Sequence, residues 1–282
     1  FITDELNGLE KRVLVSATSK DHLPEYCRMP NPKTLQFVGD KSYQGKLKSF
    51  YIQANNDDKL DLLKNLIYKV GNEPTIIFCN HREAVERIND LLFEHGIPTG
   101  IFHGALKQEH RERELIKLRN HSSNILLATD LASRGIDIPS IKNVIHYQLP
   151  PKEDAFIHRN GRTARMEANG NSFIVLKADE KLPDFAPAEI EEFSISAHSD
   201  IDLTTDYVTM YLNLGKKNKI NKVDIVGLFY KKGGLVNDEL GKIEVLDYCA
   251  YVAVKRTKSK ELMRVLKKEK IKKQSFIVAV SR

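Results

Sequence analysis

Five short aliphatic runs, separated by amphipathic segments, restrict the first part of the chain to a small set of folds. The runs are RVLVSAT (12–18), TIIFCN (75–80), NILLATD (124–130), NVIHYQL (143–149) and NSFIVL (171–176). Each is nearly continuous in apolar residues, which is typical of parallel strands covered on both faces. Residues 57–70, 82–96 and 108–120 have helical periodicity, with Asp57 as the expected N-cap and Gly96 as the expected C-cap. The pattern predicts an α/β fold with a doubly wound parallel sheet, in which ligands bind outside the carboxyl ends of the strands.

The pattern changes after this region and predicts a second, smaller α+β domain. Residues 181–206 contain two prolines, many acids and no sustained period, as expected for a connector. The elements beyond it follow the order β-α-β-β-α-β, at 207–214, 221–231, two strands within 241–255, 258–270 and 274–281. This order is the split βαβ fold, which RNA-recognition modules and many unrelated proteins share. We therefore place a linker at 196–206 and an RRM-like domain at 207–282.

Basic charge is concentrated in the C-terminal segment. The net charge of the chain is +6, but the segment from Thr204 onwards holds 18 Lys and Arg against 8 Asp and Glu, a balance of +10. The preceding residues have a balance of −4. Such an asymmetry favours nucleic-acid binding, with a lysine-rich solubilising surface as the alternative.

Cysteine and hydropathy patterns argue against several other classes of protein. The three cysteines, Cys27, Cys79 and Cys249, include no CxxC pair, and none of the nine histidines falls in a ligand-like cluster. We therefore expect no disulfide framework, no metal site and a reducing, cytoplasmic location. No apolar run reaches the roughly 18 residues of a membrane span, and no signal peptide opens the sequence. The chain starts at Phe1 rather than Met, from which we expect that an upstream segment is missing.

The stretch HRNGRTAR (158–165) places Arg159, Arg162 and Arg165 at a spacing of three, which predicts one face of a single helical turn. One interpretation is a solvated, salt-bridged helix face. The other is a set of planar cations aimed at phosphates, because arginine binds phosphate bidentately and stays protonated.

Short motifs at the predicted strand ends decide between these interpretations. In chain order they are SAT (16–18), IIFCNHRE (76–83), FHGALKQEHRER (102–113), ATDLASRGIDIP (128–139) and HRNGRTAR (158–165). This ordered set resembles the C-terminal half of the DEAD-box ATP-dependent RNA helicases, over residues 1–195. The resemblance implies a second RecA-like domain at 45–195, preceded at 1–44 by the tail of the first RecA-like domain and the interdomain linker.

The resemblance implies one set of residues that catalyse ATP hydrolysis and another set that bind ATP. Arg162 and Arg165 match the catalytic arginines that neutralise charge on the γ-phosphate during phosphoryl transfer. ATP-binding positions fall on Gly135, Asp137 and Arg159, with Asp137 as the partner of the ribose hydroxyl. A turn cap is the alternative role for Asp137.

The resemblance also implies coupling residues: Gln108 and His158 link the nucleotide state to RNA binding, and Ser16 and Thr18 couple ATP hydrolysis to strand separation. Structural roles are again the alternatives. His158 fits a hydrogen-bonded core histidine, and Ser16 and Thr18 fit a polar strand end at a domain interface.

On the RNA side, the resemblance implies contacts to the sugar-phosphate backbone. The matching residues are Asn80, His81, Arg82, Gly104, Arg111 and Thr129. Guanidinium, hydroxyl and backbone N–H donors suit phosphate oxygens and carry no sequence information. RNA is therefore the expected partner, and we expect no membrane partner and a monomeric protein.

The sequence departs from the family pattern at several positions. Ala164 stands where the family usually has a second glycine, Asn160 where it has an aliphatic residue, and His81 where threonine is common. The chain contains neither a GxxxxGKT-like P-loop nor a DEAD sequence for magnesium. We therefore expect ATP and Mg²⁺ to be held mainly by a missing N-terminal domain, and this chain alone not to hydrolyse ATP.

The segments TMYLNLGKKNKINKVDIVGLF and LGKIEVLDYCAYVAV resemble the RNA-binding domain appended to DbpA-like DEAD-box proteins. The resemblance implies binding to large-subunit ribosomal RNA and a role in ribosome assembly. Tyr211 and Tyr251 match base-stacking positions, whereas Tyr248 is expected on the opposite face. Phosphate contacts are expected from Lys216, Lys217, Lys219, Lys222, Lys255 and Arg256. Core packing of the tyrosines and a solvated lysine loop are the alternatives.

Together these features predict the C-terminal part of an ATP-dependent RNA helicase, an ATP hydrolase in its intact form. Two rival hypotheses stay open. One is a non-catalytic RNA-binding scaffold made of the same two domains. The other is a helicase of another superfamily branch that acts on DNA, against which the RNA-type module argues.

Overall fold

The computed structural model describes residues 47–55, 58–133, 141–163, 169–195 and 201–281, together with isolated residues between 11 and 35. Phe1–Gln44 and Gly45–Arg282 form two units, and every helix and strand named below lies in the second. From the predicted buried strand 12–18, Val13 and Leu14 are described, and both are exposed. The rest of that strand, and most of the predicted tail and linker at 1–44, lie outside the described residues.

A seven-stranded parallel sheet forms the larger domain. Its strands are β1 (Leu47–Gln53), β2 (Thr75–Phe78), β3 (Gly100–Phe102), β4 (Ile125–Ala128), β5 (Asn143–His146), β6 (Gly170–Leu176) and β7 (Glu191–Glu192). Their order across the sheet is β3-β4-β2-β5-β6-β1-β7. Parallel neighbours need crossover connections, and most of these crossovers carry a helix.

Helices cover both faces of this sheet. They are α1 (Leu60–Val70), α2 (Arg82–Glu94), α3 (Gln108–Arg119) and α4 (Glu153–Asn160). In β2, Ile77 packs in one core cluster with α1 and α2, whereas Ile76 and Phe78 pack in another with Leu115 of α3. Strand residues are therefore buried on both sides, which explains the continuous apolar runs. The predicted doubly wound α/β fold is confirmed.

Some elements differ from the sequence prediction. The apolar patterns do not predict β1, β3 or β7. The helix expected from residue 57 begins at Leu60, whose backbone N–H donates to Asp58 Oδ1 at 2.8 Å. Asp58 thus accepts a hydrogen bond from the first N–H group of α1. The predicted N-cap, Asp57, lies outside the described residues. Gly96 follows α2 with a φ of 75°, a left-handed conformation that favours glycine.

The smaller domain is a four-stranded antiparallel sheet with two helices on one face. Its elements are β8 (Tyr207–Leu212), α5 (Lys222–Lys231), β9 (Leu240–Val245), β10 (Ala250–Lys255), α6 (Arg256–Leu266) and β13 (Val278–Val280). The strand order is β13-β8-β10-β9, and the inner residues Met210 and Val252 pack on Phe229 of α5 and Leu262 of α6. The predicted β-α-β-β-α-β order is confirmed. A short hairpin of β11 (Lys270–Ile271) and β12 (Gln274–Ser275) is an addition before β13.

The outer face of the small sheet lies against the end of α3 in the larger domain. Ser122 Oγ and Thr209 Oγ1 are 2.6 Å apart, and Arg119 Nη1 donates to both carboxylate oxygens of Glu244 at 3.1 Å. Thr209 and Ala253, which lie on this face, are almost completely buried. The two domains therefore share an interface that covers the centre of the small sheet.

Candidate nucleotide and RNA interface

Polar residues meet at the carboxyl edge of the large sheet. Asn80 follows β2, Asp130 follows β4, and Gln148 follows β5. These three strands are neighbours, so the side chains lie beside one another. The Asn80 backbone N–H donates to Gln148 Oε1 at 2.7 Å, and Asn80 Nδ2 donates to the Leu149 carbonyl at 2.9 Å. The edge is a preformed polar surface on the side where such sheets bind ligands.

Arg159 of α4 connects the parts of this edge, and its side chain is 0% exposed. Nη2 donates to Asn80 Oδ1 at 2.8 Å and Nη1 to the Gln148 carbonyl at 2.9 Å. Nε and Nη2 both donate to the carboxylate of Asp130. The guanidinium also lies 5.2 Å from the centroid of the Phe78 ring. Arg159 thus ties the ends of three strands to α4, and its direct contact with ATP stays a prediction.

The prediction of one arginine-bearing helix face is wrong for Arg159 and Arg162. The helix α4 ends at Asn160, and the Arg162 N–H bonds back to the Arg159 carbonyl at 3.1 Å in a tighter turn. Thr163 then leaves the helical path, because its hydroxyl donates to the Ile141 carbonyl at 2.6 Å. Arg159 is consequently enclosed within the domain, whereas Arg162 is only partly buried in the turn after α4.

The ends of β3 and β4 bring together other residues expected to contact RNA. The Thr129 N–H donates to the Phe102 carbonyl at 3.1 Å, which joins the two strand ends. Gly104 and Gln108, just beyond β3, are both exposed. His81 and Arg82 are exposed at the start of α2. This part of the edge is therefore accessible to a large ligand.

A hydrogen bond to Glu83 gives Arg82 a local partner. Arg82 Nε lies 2.7 Å from Glu83 Oε1, and this contact raises the pKa of the guanidinium. Both side chains are well exposed, so a phosphate can compete with the carboxylate for Arg82.

Four buried nitrogens on α3 and α4 lack hydrogen-bond partners within the part of the chain that the structure describes. They are Nε of Arg111, Arg113 and Arg119 on α3 and Nδ1 of His158 on α4. Buried polar atoms are normally paired, so an unpaired donor beside a polar edge fits a position whose partner comes from a ligand. Of these four residues, the sequence predicts a functional role for Arg111 and His158 and none for Arg113 and Arg119.

Asn160, one of the departures from the family pattern, has polar neighbours that explain it. Its Oδ1 accepts hydrogen bonds from His146 Nε2 at 3.0 Å and from Ser172 Oγ at 2.9 Å. Burial, together with the charge of Arg159, lowers the pKa of His146 to about 3. The imidazole is therefore neutral at physiological pH, and the side-chain oxygen of Asn160 has its hydrogen-bond partners inside the domain.

Several predicted site residues lie outside the described residues. They are Ser16, Thr18, Gly135, Asp137 and Arg165, together with the departure at Ala164. Their predicted roles stay predictions.

Tyr211 and Tyr251 lie side by side on the outer face of the small sheet, with ring centroids 5.6 Å apart. Tyr251 is only 7% exposed, and burial raises its pKa to about 12. Both rings line a cleft of about 740 Å³ that His110 and Arg113 of α3 border from the larger domain. The predicted stacking pair therefore faces α3, and its contact with RNA bases stays a prediction.

The basic residues of the small domain divide into two groups. Lys255 Nζ lies 2.8 Å from Asp206 Oδ2 and 4.9 Å from the centroid of the Tyr207 ring. Arg256 Nε donates to the Thr205 carbonyl at 2.6 Å, so both cations hold the connector before β8. The other group, Lys216, Lys217, Lys219 and Lys222, is exposed.

Within the described ranges, no group of three or more His, Cys, Asp or Glu side chains is arranged to hold a metal ion. Among the same residues, no helix is both long and apolar enough to cross a membrane.

Two family models match the chain. The helicase conserved C-terminal domain matches residues 58–167, and the DbpA RNA binding domain matches residues 209–280. The first span covers α1 to α4 and β2 to β5 of the larger domain but not β1, β6 or β7, and the second covers almost the whole of the smaller domain. Together they place both the carboxyl edge of the large sheet and the lysine-bearing loops of the small domain within known families.

Relatives and solved structures agree with this assignment. The chain is 28% identical to the ATP-dependent RNA helicase DbpA of Bacillus subtilis, over 92% of this chain and 60% of that protein. It is 29% identical to DbpA of Escherichia coli, over 80% of this chain and 50% of that protein. The chain thus spans about half to three fifths of these curated relatives. Dbp5 of S. cerevisiae, solved with RNA and ADP BeF3, is similar at a TM-score of 0.53 and 25% identity, over 62% of this chain and 50% of that one.

Proposed function

The chain belongs to the DEAD-box RNA helicases and carries an RNA-binding domain of the DbpA type. We propose that it forms the RNA-binding C-terminal part of an ATP-dependent RNA helicase. The proposed substrate is structured RNA, specifically large-subunit ribosomal RNA during ribosome assembly. The ribosomal target rests on the resemblance of residues 207–282 to the DbpA-type module. We further propose a monomer in the cytoplasm, where the three dispersed cysteines stay reduced.

The contact set of Arg159 carries this proposal. It joins Asn80, on the proposed RNA side, to α4, which leads directly into Arg162 on the proposed ATP side. A displacement on either side perturbs the same buried, hydrogen-bonded guanidinium, so the two sides respond together. Arg159 thus acts as a positioning residue, and the exposed groups around it contact the ligands.

Arg162 and Arg165 are proposed to donate hydrogen bonds to oxygens of the γ-phosphate, and Asp137 to accept one from the ribose hydroxyl beside Gly135. When bound, ATP with Mg²⁺ supplies the phosphoryl group and its counter-ion, both held mainly by a preceding RecA-like domain. His158 Nδ1 lies on the helix that leads into Arg162 and has no hydrogen-bond partner among the described residues, which supports a ligand-facing surface here. Dbp5, similar in fold, was solved with ADP BeF3, which also supports a nucleotide at this edge.

The proposed RNA contacts of the large domain are independent of base sequence. They come from Asn80, His81, Arg82, Gly104, Arg111 and Thr129. Arg111 Nε is buried without a partner among the described residues, and a phosphate oxygen is a suitable acceptor for it. The proposed coupling residues are Gln108, His158, Ser16 and Thr18.

RNA-stimulated ATP hydrolysis by a protein that carries both RecA-like domains tests the proposal. We expect Arg162→Ala to lower kcat by roughly 10³-fold or more, because an arginine finger contributes that much to phosphoryl transfer. Arg87→Ala, at an exposed arginine of α2, is the matched control and is expected to leave kcat unchanged. Equal turnover in the two variants contradicts the role of Arg162. Absence of RNA-stimulated turnover in the unaltered protein favours the non-catalytic scaffold.

A further inference from the structure

Two lysine-bearing loops meet at one end of the small domain. One is the turn after β8, with a 3-10 segment at Lys216–Asn218, and the other is the β11–β12 turn. Lys272 Nζ donates to the Lys219 carbonyl at 2.8 Å, and Gln274 Nε2 donates to the Asn218 carbonyl at 3.1 Å. Segments more than fifty residues apart in sequence thus form one surface.

The β9–β10 turn adjoins the same surface. The backbone N–H groups of Lys216 and Lys217 donate to the carbonyls of Leu246 and Asp247, each at 2.8 Å. This close approach needs a glycine, since a Cβ on Gly215 would lie 2.3 Å from the Leu246 carbonyl oxygen. Tyr248, the next residue of the turn, is 72% exposed. An exposed aromatic residue therefore lies in the turn whose backbone is hydrogen-bonded to Lys216 and Lys217.

Positive charge dominates this surface. Its lysines are Lys216, Lys217, Lys219, Lys222, Lys272 and Lys273. Two acids offset them in part, and one of these, Asp224, lies 2.7 Å from Lys272 Nζ. The other is Asp247, in the β9–β10 turn. The remaining excess of lysine suits the phosphates of a nucleic acid.

The backbone at these lysines adopts a conformation that rarely carries a side chain. Lys219, Lys272 and Lys273 have φ values of 60°, 48° and 66°. A two-residue hairpin turn with positive φ at both positions usually takes Asn-Gly, because side chains are disfavoured there. The chain instead keeps two lysines at the tip of the β11–β12 hairpin. Retention of charged side chains in a strained turn is typical of binding sites.

The tyrosines of the small domain differ in their exposure to solvent. Tyr251 is 7% exposed and faces α3 across the interface, whereas Tyr248 is 72% exposed. Unpaired RNA bases stack on exposed aromatic rings next to groups that hold the backbone. Tyr211 is half-buried at the cleft beside α3, so Tyr248 is the most exposed of these three rings.

We propose that these three loops, hereafter the loop-end surface, form the RNA site of the small domain, with an unpaired base stacked on Tyr248 and neighbouring phosphates held by the lysines. The loop-end surface comprises residues 215–222, 246–248 and 272–273. The outer face of the small sheet is left for contact with α3. The inference rests on the proposed function only in taking RNA as the ligand.

Binding of a fluorescent RNA hairpin with an unpaired loop to the full chain tests the stacking residue. Tyr248→Ala is expected to weaken binding roughly tenfold, and Tyr248→Phe to preserve it, because the ring and not the hydroxyl stacks on the base. Phe93→Ala, at an aromatic residue of α2 that is 75% exposed, is the matched control. Tyr211→Ala, on the sheet face, is expected to bind as the unaltered chain does.

A salt titration of the same complex tests the lysines. Replacing Lys216 and Lys217 together by glutamine is expected to reduce the slope of log K against log salt by about 1.4–1.8, from about 0.7–0.9 per phosphate contact. The control replaces Lys231 and Lys232, at the end of α5, by glutamine, which removes the same charge. We expect the slope for this control to equal that of the unaltered chain.

The outcomes separate this proposal from the one it rests on. RNA binding that is lost with Tyr211→Ala and retained with Tyr248→Ala assigns the site to the sheet face and overturns the loop-end surface alone. Equal salt slopes in the two lysine pairs also overturn it. An unaltered chain that binds the RNA hairpin no more tightly than a DNA hairpin of the same sequence overturns the proposed function as well.

Discussion

The guanidinium of Arg159 and the carboxylate of Asp130 form a two-point ion pair in which Arg159 is completely buried and Asp130 is one third exposed (33%). Two donors of one side chain meet two acceptors of the other, a geometry that also fixes orientation. Because Asn80 and the Gln148 carbonyl each accept one further hydrogen bond, four of the five N–H groups of Arg159 have acceptors. The carboxyl edge of the sheet is thus organised around one side chain.

Arg159→Ala is expected to destabilise the larger domain by about 3–5 kcal/mol. Without the guanidinium, the Asp130 carboxylate, the Asn80 side-chain oxygen and the Gln148 carbonyl lose their hydrogen-bond donor. Urea unfolding of the full chain, followed by a probe of the large domain, measures the change. Arg87→Ala is the control, since Arg87 is exposed on α2, and we expect a change within about 0.5 kcal/mol. Comparable unfolding midpoints for the two variants contradict the organising role of Arg159.

The buried neutral His146 predicts a pH dependence of stability. Its pKa is lowered to about 3 in the folded chain, whereas a histidine in the unfolded chain has its ordinary pKa of about 6.5. Between these values the unfolded state binds the proton and the folded state does not, so acidification favours unfolding. From pH 7 to pH 5 this group is expected to remove about 2 kcal/mol from the free energy of unfolding.

His146→Gln tests this contribution, because glutamine does not titrate. We expect the variant to lose about 2 kcal/mol less than the unaltered chain over the same pH interval, whatever its absolute stability. The free energy of unfolding is measured for the variant and for the unaltered chain at each pH, and the difference between the two proteins is compared across the pH interval. Parallel pH profiles for the two proteins show that His146 is not the responsible group.

The interface between the domains depends in part on Arg119 and Glu244. Arg119 Nη1 lies 3.1 Å from both carboxylate oxygens, and the two side chains are partly exposed. A double-mutant cycle with Arg119→Ala and Glu244→Ala is expected to give a coupling of about 0.5–1 kcal/mol, since solvent screens the pair. Unfolding midpoints of the four proteins supply the cycle. A coupling near zero means that the ion pair does not stabilise the interface, which the hydrogen bond between the Ser122 and Thr209 hydroxyls then stabilises without it.

Sequence patterns predict those strands of the large sheet that are buried on both faces. β2, β4 and β5 are buried at every position, and their apolar runs are continuous. β1 lies near the edge of the sheet, is only partly buried, and mixes lysine, serine and glutamine with apolar residues. Its sequence is therefore neither a continuous apolar run nor a strict alternation of apolar and polar residues, although seven residues of β1 pair with β6.

Contacts between distant residues escape sequence reasoning for a different reason. The spacing of the arginines predicts a helix but not that α4 stops at Asn160, because the contact of Thr163 with Ile141 spans 22 residues. Arg159 and Asn80 are 79 residues apart, and no local pattern indicates that they touch. Gln148 was missed too, although its place at the end of an apolar run marks it as a residue of the carboxyl edge.

A matched pair of glycine substitutions tests the packing of the loop-end surface. A Cβ at Gly215 would meet the Leu246 carbonyl oxygen at 2.3 Å, whereas a Cβ at Gly227, within α5, meets nothing within 4 Å. Gly215→Ala is therefore expected to destabilise the small domain by about 1–3 kcal/mol through overpacking. Gly227→Ala is expected to stabilise it by about 0.5–1 kcal/mol, because alanine favours the helix. Thermal unfolding of both variants gives the two signs, and shifts in the same direction contradict the close approach of the turn after β8 to the β9–β10 turn.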